Sequence, residues 1–132
     1  MSMLQGKTAI VIGASAEGGI GWETARLFAE EGARVVVSAR SSEPLHKLAT
    51  EIDGLAISCD VTEAGSISRL VEATVDALGP PHVGVYSPGQ ASSKMIEELT
   101  RADTSEEMVL HYEGALTFLQ SMAKAMTGSG AI

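Results

Sequence analysis

The chain has 132 residues, enough for one domain built around one hydrophobic core. Hydrophobic residues make up 45% of it and aromatics only 4%, so the core must be aliphatic and alanine-rich, a composition that suits helices packed on a sheet. Nine basic residues against 17 acidic ones give a net charge of −8, which argues against nucleic acid and anionic membrane as partners, because affinity for such surfaces comes from Lys and Arg.

Thr8-Ala9-Ile10-Val11-Ile12 is a short apolar run rich in β-branched residues and predicts a first strand over residues 7–12. A glycine-rich loop from Gly13 to Gly21 follows, then a helix over residues 20–31 that Gly32 ends at its C′ position. Val35-Val36-Val37 lies within a second strand over 34–39, a continuous apolar run of the kind buried on both faces of a parallel sheet. Pro44 suits the first turn of a helix running to Ile52, with Leu45, Leu48, Ala49 and Ile52 on one face. Residues 55–59 read as a third strand. Asp60-Val61-Thr62 leads into a helix striped by Ile67, Leu70, Val71, Thr74, Val75 and Leu78. Gly79-Pro80-Pro81 stops that helix, and residues 83–87 read as a fourth strand.

Residues 88–104 are polar and irregular, with a helical turn over 95–99. Thr104-Ser105-Glu106-Glu107 reads as a capping box in which Thr104 accepts from the backbone N–H of Glu107. A long helix then runs to Met126 and ends at Gly128-Ser129-Gly130, and Ala131-Ile132 begins a fifth strand. This alternation predicts an α/β, Rossmann-like parallel sheet with right-handed crossovers and helices on both faces, incomplete after the fourth or early fifth strand. Residues 1–132 form one nucleotide-binding domain on this reading. The single Cys59 permits no internal disulfide and fits a reducing compartment. Residues 1–7 are too short and too polar for a signal peptide, and no apolar run approaches the ~20 residues that span a bilayer. A cytoplasmic location is expected.

The loop carries the chemistry. Gly13, Gly19 and Gly21 let the backbone turn sharply and let a phosphate approach with no Cβ in the way. The following helix offers its free N–H groups and positive dipole end to that anion, with Ser15 and Ile20 beside it. A plain strand-to-helix turn that binds no nucleotide is the alternative. Cys59 reads as a packed core thiol, and His111 either as an acid–base group or, more simply, as a hydrogen-bonded histidine on a helix. Met108, Met122 and Met126 read as core or interface filling.

Over nearly its whole length the chain resembles the N-terminal half of a short-chain dehydrogenase/reductase. The family loop is Thr-Gly-x-x-x-Gly-x-Gly; Gly13, Gly19 and Gly21 match it, with Ile12 in place of the threonine and two extra residues between the first two glycines. Longer loops of this kind occur in enoyl reductases. Asp60-Val61 takes the place where the family sets a carboxylate against the adenine amine; an acid favoured by the dipole at a helix N-terminus is the alternative for Asp60. Tyr86-Ser87-Pro88-Gly89 stands where the family has Asn-Asn-Ala-Gly; only Gly89 survives, and Pro88 has no N–H. His111 replaces the relay asparagine ahead of Gly114. The family's serine and Tyr-x-x-x-Lys are absent from these residues, and Tyr86 and Tyr112 are followed four places on by Gln90 and Leu116.

The resemblance implies the cofactor-binding part of an NAD(P)-dependent oxidoreductase, with Gly13, Ser15, Gly19, Ile20, Gly21, Arg40, Ser41, Asp60, Val61 and Gly89 at the cofactor. NAD-preferring relatives carry an acid where this chain has Ala39. Arg40, with Ser41 and Ser42, instead offers donors to a 2′-phosphate, which implies NADP over NAD; an exposed arginine at a strand end is the simpler alternative. No catalytic residue or metal site is assigned, and no turnover is expected from these residues alone. The second reading is a non-catalytic nucleotide-binding or interaction module, or a half-domain completed by another chain. An open edge at 83–87 and the apolar helix positions Met108, Tyr112, Leu116, Leu119 and Met126 lead to the expectation of a homo-oligomer or a completing chain.

Overall fold

The computed structural model describes residues 2–89 and 93–132. Four strands, β1 (Thr8–Ile12), β2 (Arg34–Ser38), β3 (Leu55–Ala56) and β4 (Val83–Tyr86), form one sheet in the order β3-β2-β1-β4. Every pairing is parallel, with Ile10 opposite both Val36 and Gly84. Parallel neighbours need crossovers, and the helices supply them: α1 (Ile20–Glu30), α2 (Ser42–Glu51) and α3 (Ser66–Leu78).

Alternating side chains on β1 and β2 feed two separate cores. On one face Ala9, Val11, Val35 and Val37 pack with Trp22 and Ala25 of α1 and with Leu45 and Leu48 of α2. On the other, Ile10, Ile12 and Val36 meet Ile67, Leu70 and Val71 of α3, joined by Phe118 and Met122 from the last helix. Each fully buried Val, Leu, Ile or Phe contributes about 1.5–3 kcal/mol of transfer free energy, so the valine run of β2 is the seam that both layers share.

Past β4 the structure departs from the sequence reading. Of the stretch 88–104, residues 90–92 lie outside the described residues; Ile96–Glu98 form a single 3₁₀ turn. The last helix begins earlier than expected, as α4 (Arg101–Glu107), and its cap is Thr100 rather than Thr104. The Thr100 hydroxyl accepts from the Asp103 N–H at 3.2 Å, and the Asp103 carboxylate accepts from the Thr100 N–H at 2.8 Å. Thr104 lies inside the helix and donates its hydroxyl to the Thr100 carbonyl. A π-helical segment, Met108–Glu113, then widens the helix before α5 (Gly114–Ala125) resumes it, so the expected single long helix is interrupted.

Three strand and helix boundaries also move. β3 is two residues long rather than five, although Ile57 and Cys59 still donate to the Val37 and Ala39 carbonyls at 3.1 Å. The chain there keeps a single row of hydrogen bonds to β2 without regular strand geometry. α3 starts only after a turn, at Ser66, and β4 ends at Tyr86. Ala131 does pair with β4: its carbonyl accepts from the Gly84 N–H at 2.9 Å, and its N–H donates to the His82 carbonyl at 3.0 Å.

Candidate functional site

A cavity of about 1020 Å³ opens along the carboxyl ends of the strands. In an open parallel sheet this is where the chain leaves the hydrogen-bonded core and where ligands bind. All ten residues that the sequence nominated line it: Gly13, Ser15, Gly19, Ile20, Gly21, Arg40, Ser41, Asp60, Val61 and Gly89. They come from four separate connections, so the fold brings together what the sequence disperses.

β1 ends at Gly13, whose φ of +90° suits glycine and whose missing Cβ would otherwise collide with the Ser87 carbonyl. That close approach ties the loop to the end of β4, while the Gly13 N–H donates to the Ser38 carbonyl of β2 at 2.7 Å. Gly21 lies against the Gly13 carbonyl, where a Cβ would clash, so the first turn of α1 sits directly on the strand end. Gly19 caps α1 in extended conformation and supplies no side-chain oxygen. The first-turn N–H groups therefore have no side-chain cap, beside an Ile20 side chain that is 79% exposed.

At the β2 and β3 ends, Arg40 and Ser41 are exposed and α2 starts immediately behind them. Asp60 Oδ1 accepts from the Thr62 hydroxyl at 2.6 Å and from the Thr62 N–H at 3.0 Å. Those bonds, the hydroxyl first, hold its carboxyl below the usual range against a smaller opposing effect of burial, with the Arg40 charge adding to the lowering. Asp60 is therefore an ionised acceptor at neutral pH. Cys59 is buried, 3.1 Å from the Ser66 hydroxyl, and burial pushes its thiol up, as expected of a packed core thiol.

The opposite wall was not foreseen. Asp103, Ser105 and Glu106 of α4, with Val109 and Leu110 of the π-helical segment, complete the lining. The pair Thr100 and Asp103 at spacing three was a legible capping signal; that α4 folds back across the cleft was not. Behind this wall Tyr86 donates its hydroxyl to the Leu110 carbonyl of the π-helical segment. Burial raises the Tyr86 phenol to about 12. Gly114 makes room for the ring, since a Cβ there would strike the Tyr86 hydroxyl. His111, at the place of the relay asparagine, is exposed, lies 2.9 Å from the Glu107 carboxylate and is not part of the lining.

A family model described as enoyl-(acyl carrier protein) reductase matches residues 13–132. The chain is 33% identical to a sorbitol dehydrogenase of Cereibacter sphaeroides over 96% of its own length and 50% of the relative's. It is 32% identical to an NADP-dependent (R)-specific alcohol dehydrogenase of Lentilactobacillus kefiri over 84% of this chain and 45% of that protein. A solved mutant of a Serratia marcescens short-chain dehydrogenase/reductase superposes with a TM-score of 0.87 at 28% identity, covering 94% of this chain and 52% of that one. The chain thus spans about half the length of the curated relatives it matches. No helix among the described residues is long and apolar enough to cross a membrane. Parallel strands in this order, the glycine loop and these matches together establish that the chain belongs to the short-chain dehydrogenase/reductase family.

Proposed function

We propose that this chain forms the cofactor-binding part of an oxidoreductase that prefers NADP(H) and moves hydride between the nicotinamide and a carbonyl or alcohol carbon. The observation that carries the reading is the single cavity lined by the glycine loop, by Arg40 and Ser41, and by Asp60 and Val61. Its size suits a dinucleotide. The uncapped first turn of α1 suits the pyrophosphate, Asp60 suits the adenine amine, and Arg40 suits a 2′-phosphate, with no carboxylate at Ala39 to oppose it. When bound, the cofactor supplies the hydride; these residues bind and orient it. The NADP dependence of the Lentilactobacillus relative supports the same preference.

Titrating NADPH and NADH against wild type and Arg40→Ala tests this. A hydrogen bond to a charged group contributes about 1.5–3 kcal/mol, so NADPH affinity is expected to fall roughly ten- to a hundredfold and NADH affinity to stay within a few-fold. Equal NADPH affinity in the two proteins removes the role of Arg40.

One observation favours a second reading, a non-catalytic nucleotide-binding or interaction module. Tyr86, Ser87 and Pro88 stand at the family's Asn-Asn-Ala, and His111, which pairs with the lining residue Glu107, does not itself line the cavity. Cofactor-linked turnover of a panel of ketones, aldehydes and alcohols separates the two. Self-association is part of the first reading. It is supported by the exposed Met108, Tyr112, Leu116 and Leu119 on one side of the last helix, and light scattering across a concentration series tests it.

A further inference from the structure

The glycine loop is longer than the family pattern by two residues, and its added length carries Glu17, which lies outside the cavity lining. Glu17 Oε2 meets Lys47 Nζ of α2 at 2.8 Å. The same ammonium stands 6.0 Å from the ring centroid of Trp22, which is buried at the start of α1. Three elements therefore meet at one cation: the loop, the first turn of the helix behind it, and the helix that begins just after Arg40 and Ser41. Glu51, the other acid near Lys47, is held by Arg26 at 2.9 Å.

We propose that Glu17 and Lys47 form a strut, seated on Trp22, that fixes the glycine loop against α2 and so presets the spacing between the pyrophosphate and 2′-phosphate ends of the cleft. Both are positioning residues, since neither lines the cavity. A flexible loop must be ordered on binding, and a brace that orders it beforehand lowers that cost. The inference rests on the dinucleotide reading of the cleft. The length of the loop makes the brace necessary: Gly18 and Gly19 leave its tip few side chains of its own to pack.

The charges give the test its sign. Glu17 repels and Lys47 attracts a bound phosphate at long range, so a field effect alone makes Glu17→Gln bind NADPH more tightly and Lys47→Met less tightly. The strut makes both weaker. At low salt each substitution is expected to raise the dissociation constant about two- to fivefold, the range of an exposed ion pair, and Lys47→Arg is expected to restore binding. The loss should vanish near about 1 M salt, where the screening length is about 3 Å. Trp22 is the chain's one tryptophan, so its emission without cofactor reports the strut separately, and both Glu17→Gln and Lys47→Met should change it. Tighter or unchanged NADPH binding by Glu17→Gln overturns the proposal. If the wild type binds neither NADPH nor NADH, the cofactor reading fails instead. Emission then still decides the strut, and identical spectra from wild type and both variants overturn it.

Discussion

Where the cleft is walled by the glycine loop, Arg40 and Asp60, the glycines of the family pattern are kept in a loop two residues longer, and backbone sterics explain Gly13 and Gly21. Where it is walled by the end of β4, α4 and the π-helical segment, the motif residues differ and hydrogen bonds between distant residues do the positioning. The first region needs glycine because backbones touch backbones there: Gly13 against Ser87, Gly21 against Gly13. The second relies on a long polar side chain, the Tyr86 hydroxyl reaching the Leu110 carbonyl of the π-helical segment. One region leaves backbone groups open at the strand ends, whereas the other holds its own helix in place. In a fold where function concentrates at strand ends, motif loss on one wall can therefore coexist with a retained glycine pattern on the wall opposite.

The sharpest way to break this comparison is at the point where the regions touch. Gly13→Val forces a Cβ into the Ser87 carbonyl at a positive φ, and should cost about 3 kcal/mol or more, lowering the thermal midpoint by over ~10 °C. A midpoint within a few degrees of wild type would mean that loop and β4 are not in contact.

Next in size is Tyr86→Phe, which removes the hydroxyl donated to the Leu110 carbonyl and should cost about 0.5–1.5 kcal/mol. Hydrogen exchange should quicken over residues 108–114 while the affinity for 2′,5′-ADP, a probe of the opposite wall, stays unchanged. A fall in that affinity would show that the two walls are coupled. The same phenol gives a pH limit. Its folded value of about 12 lies above the ordinary value of 10.0, so its contribution is full below pH 10 and is lost as pH rises toward 12. An absorbance titration should show one of the two tyrosines ionising near the upper value.

Thr100→Ala, removing the cap of α4, should cost about 1 kcal/mol and fray the acidic wall, seen as lost amide protection at Asp103. The smallest effect is acidic. Asp103 is held down to about 2, chiefly by the Lys94 ammonium and then by the Thr100 N–H and hydroxyl. Its folded value is depressed, so this anchorage is present above about pH 4 and is lost as pH falls toward 2. Chemical shifts of the Thr100 and Asp103 amides should follow that window, and Asp103→Asn should abolish the transition.

Four strands and four helical runs were legible in the sequence because their signals are local, while the ten nominated residues that line the cavity were reached largely through the family resemblance. Val35-Val36-Val37 can only be a strand buried on both faces, and Leu45, Leu48 and Ala49 share one face of any helix. The errors fall where two local signals compete or where none exists. Thr104 and Glu107 make an acceptable capping box, yet Thr100 and Asp103 make another four residues upstream. The second prevails because Lys94 reaches Asp103 at 2.8 Å from the preceding loop.

By itself, the sequence determined the parallel α/β order, the two apolar layers and the glycine-lined strand end, since periodicity and backbone sterics act within a few residues. Only the tertiary structure decided the rest: that α4 closes the far wall, that the last helix widens at Met108–Glu113, that Tyr86 serves the Leu110 carbonyl, and that Glu17 braces the loop through Lys47. The Tyr86 and Glu17 contacts join residues 24 and 30 positions apart. Such contacts depend on which side chains the sheet brings face to face, and no local pattern encodes that meeting.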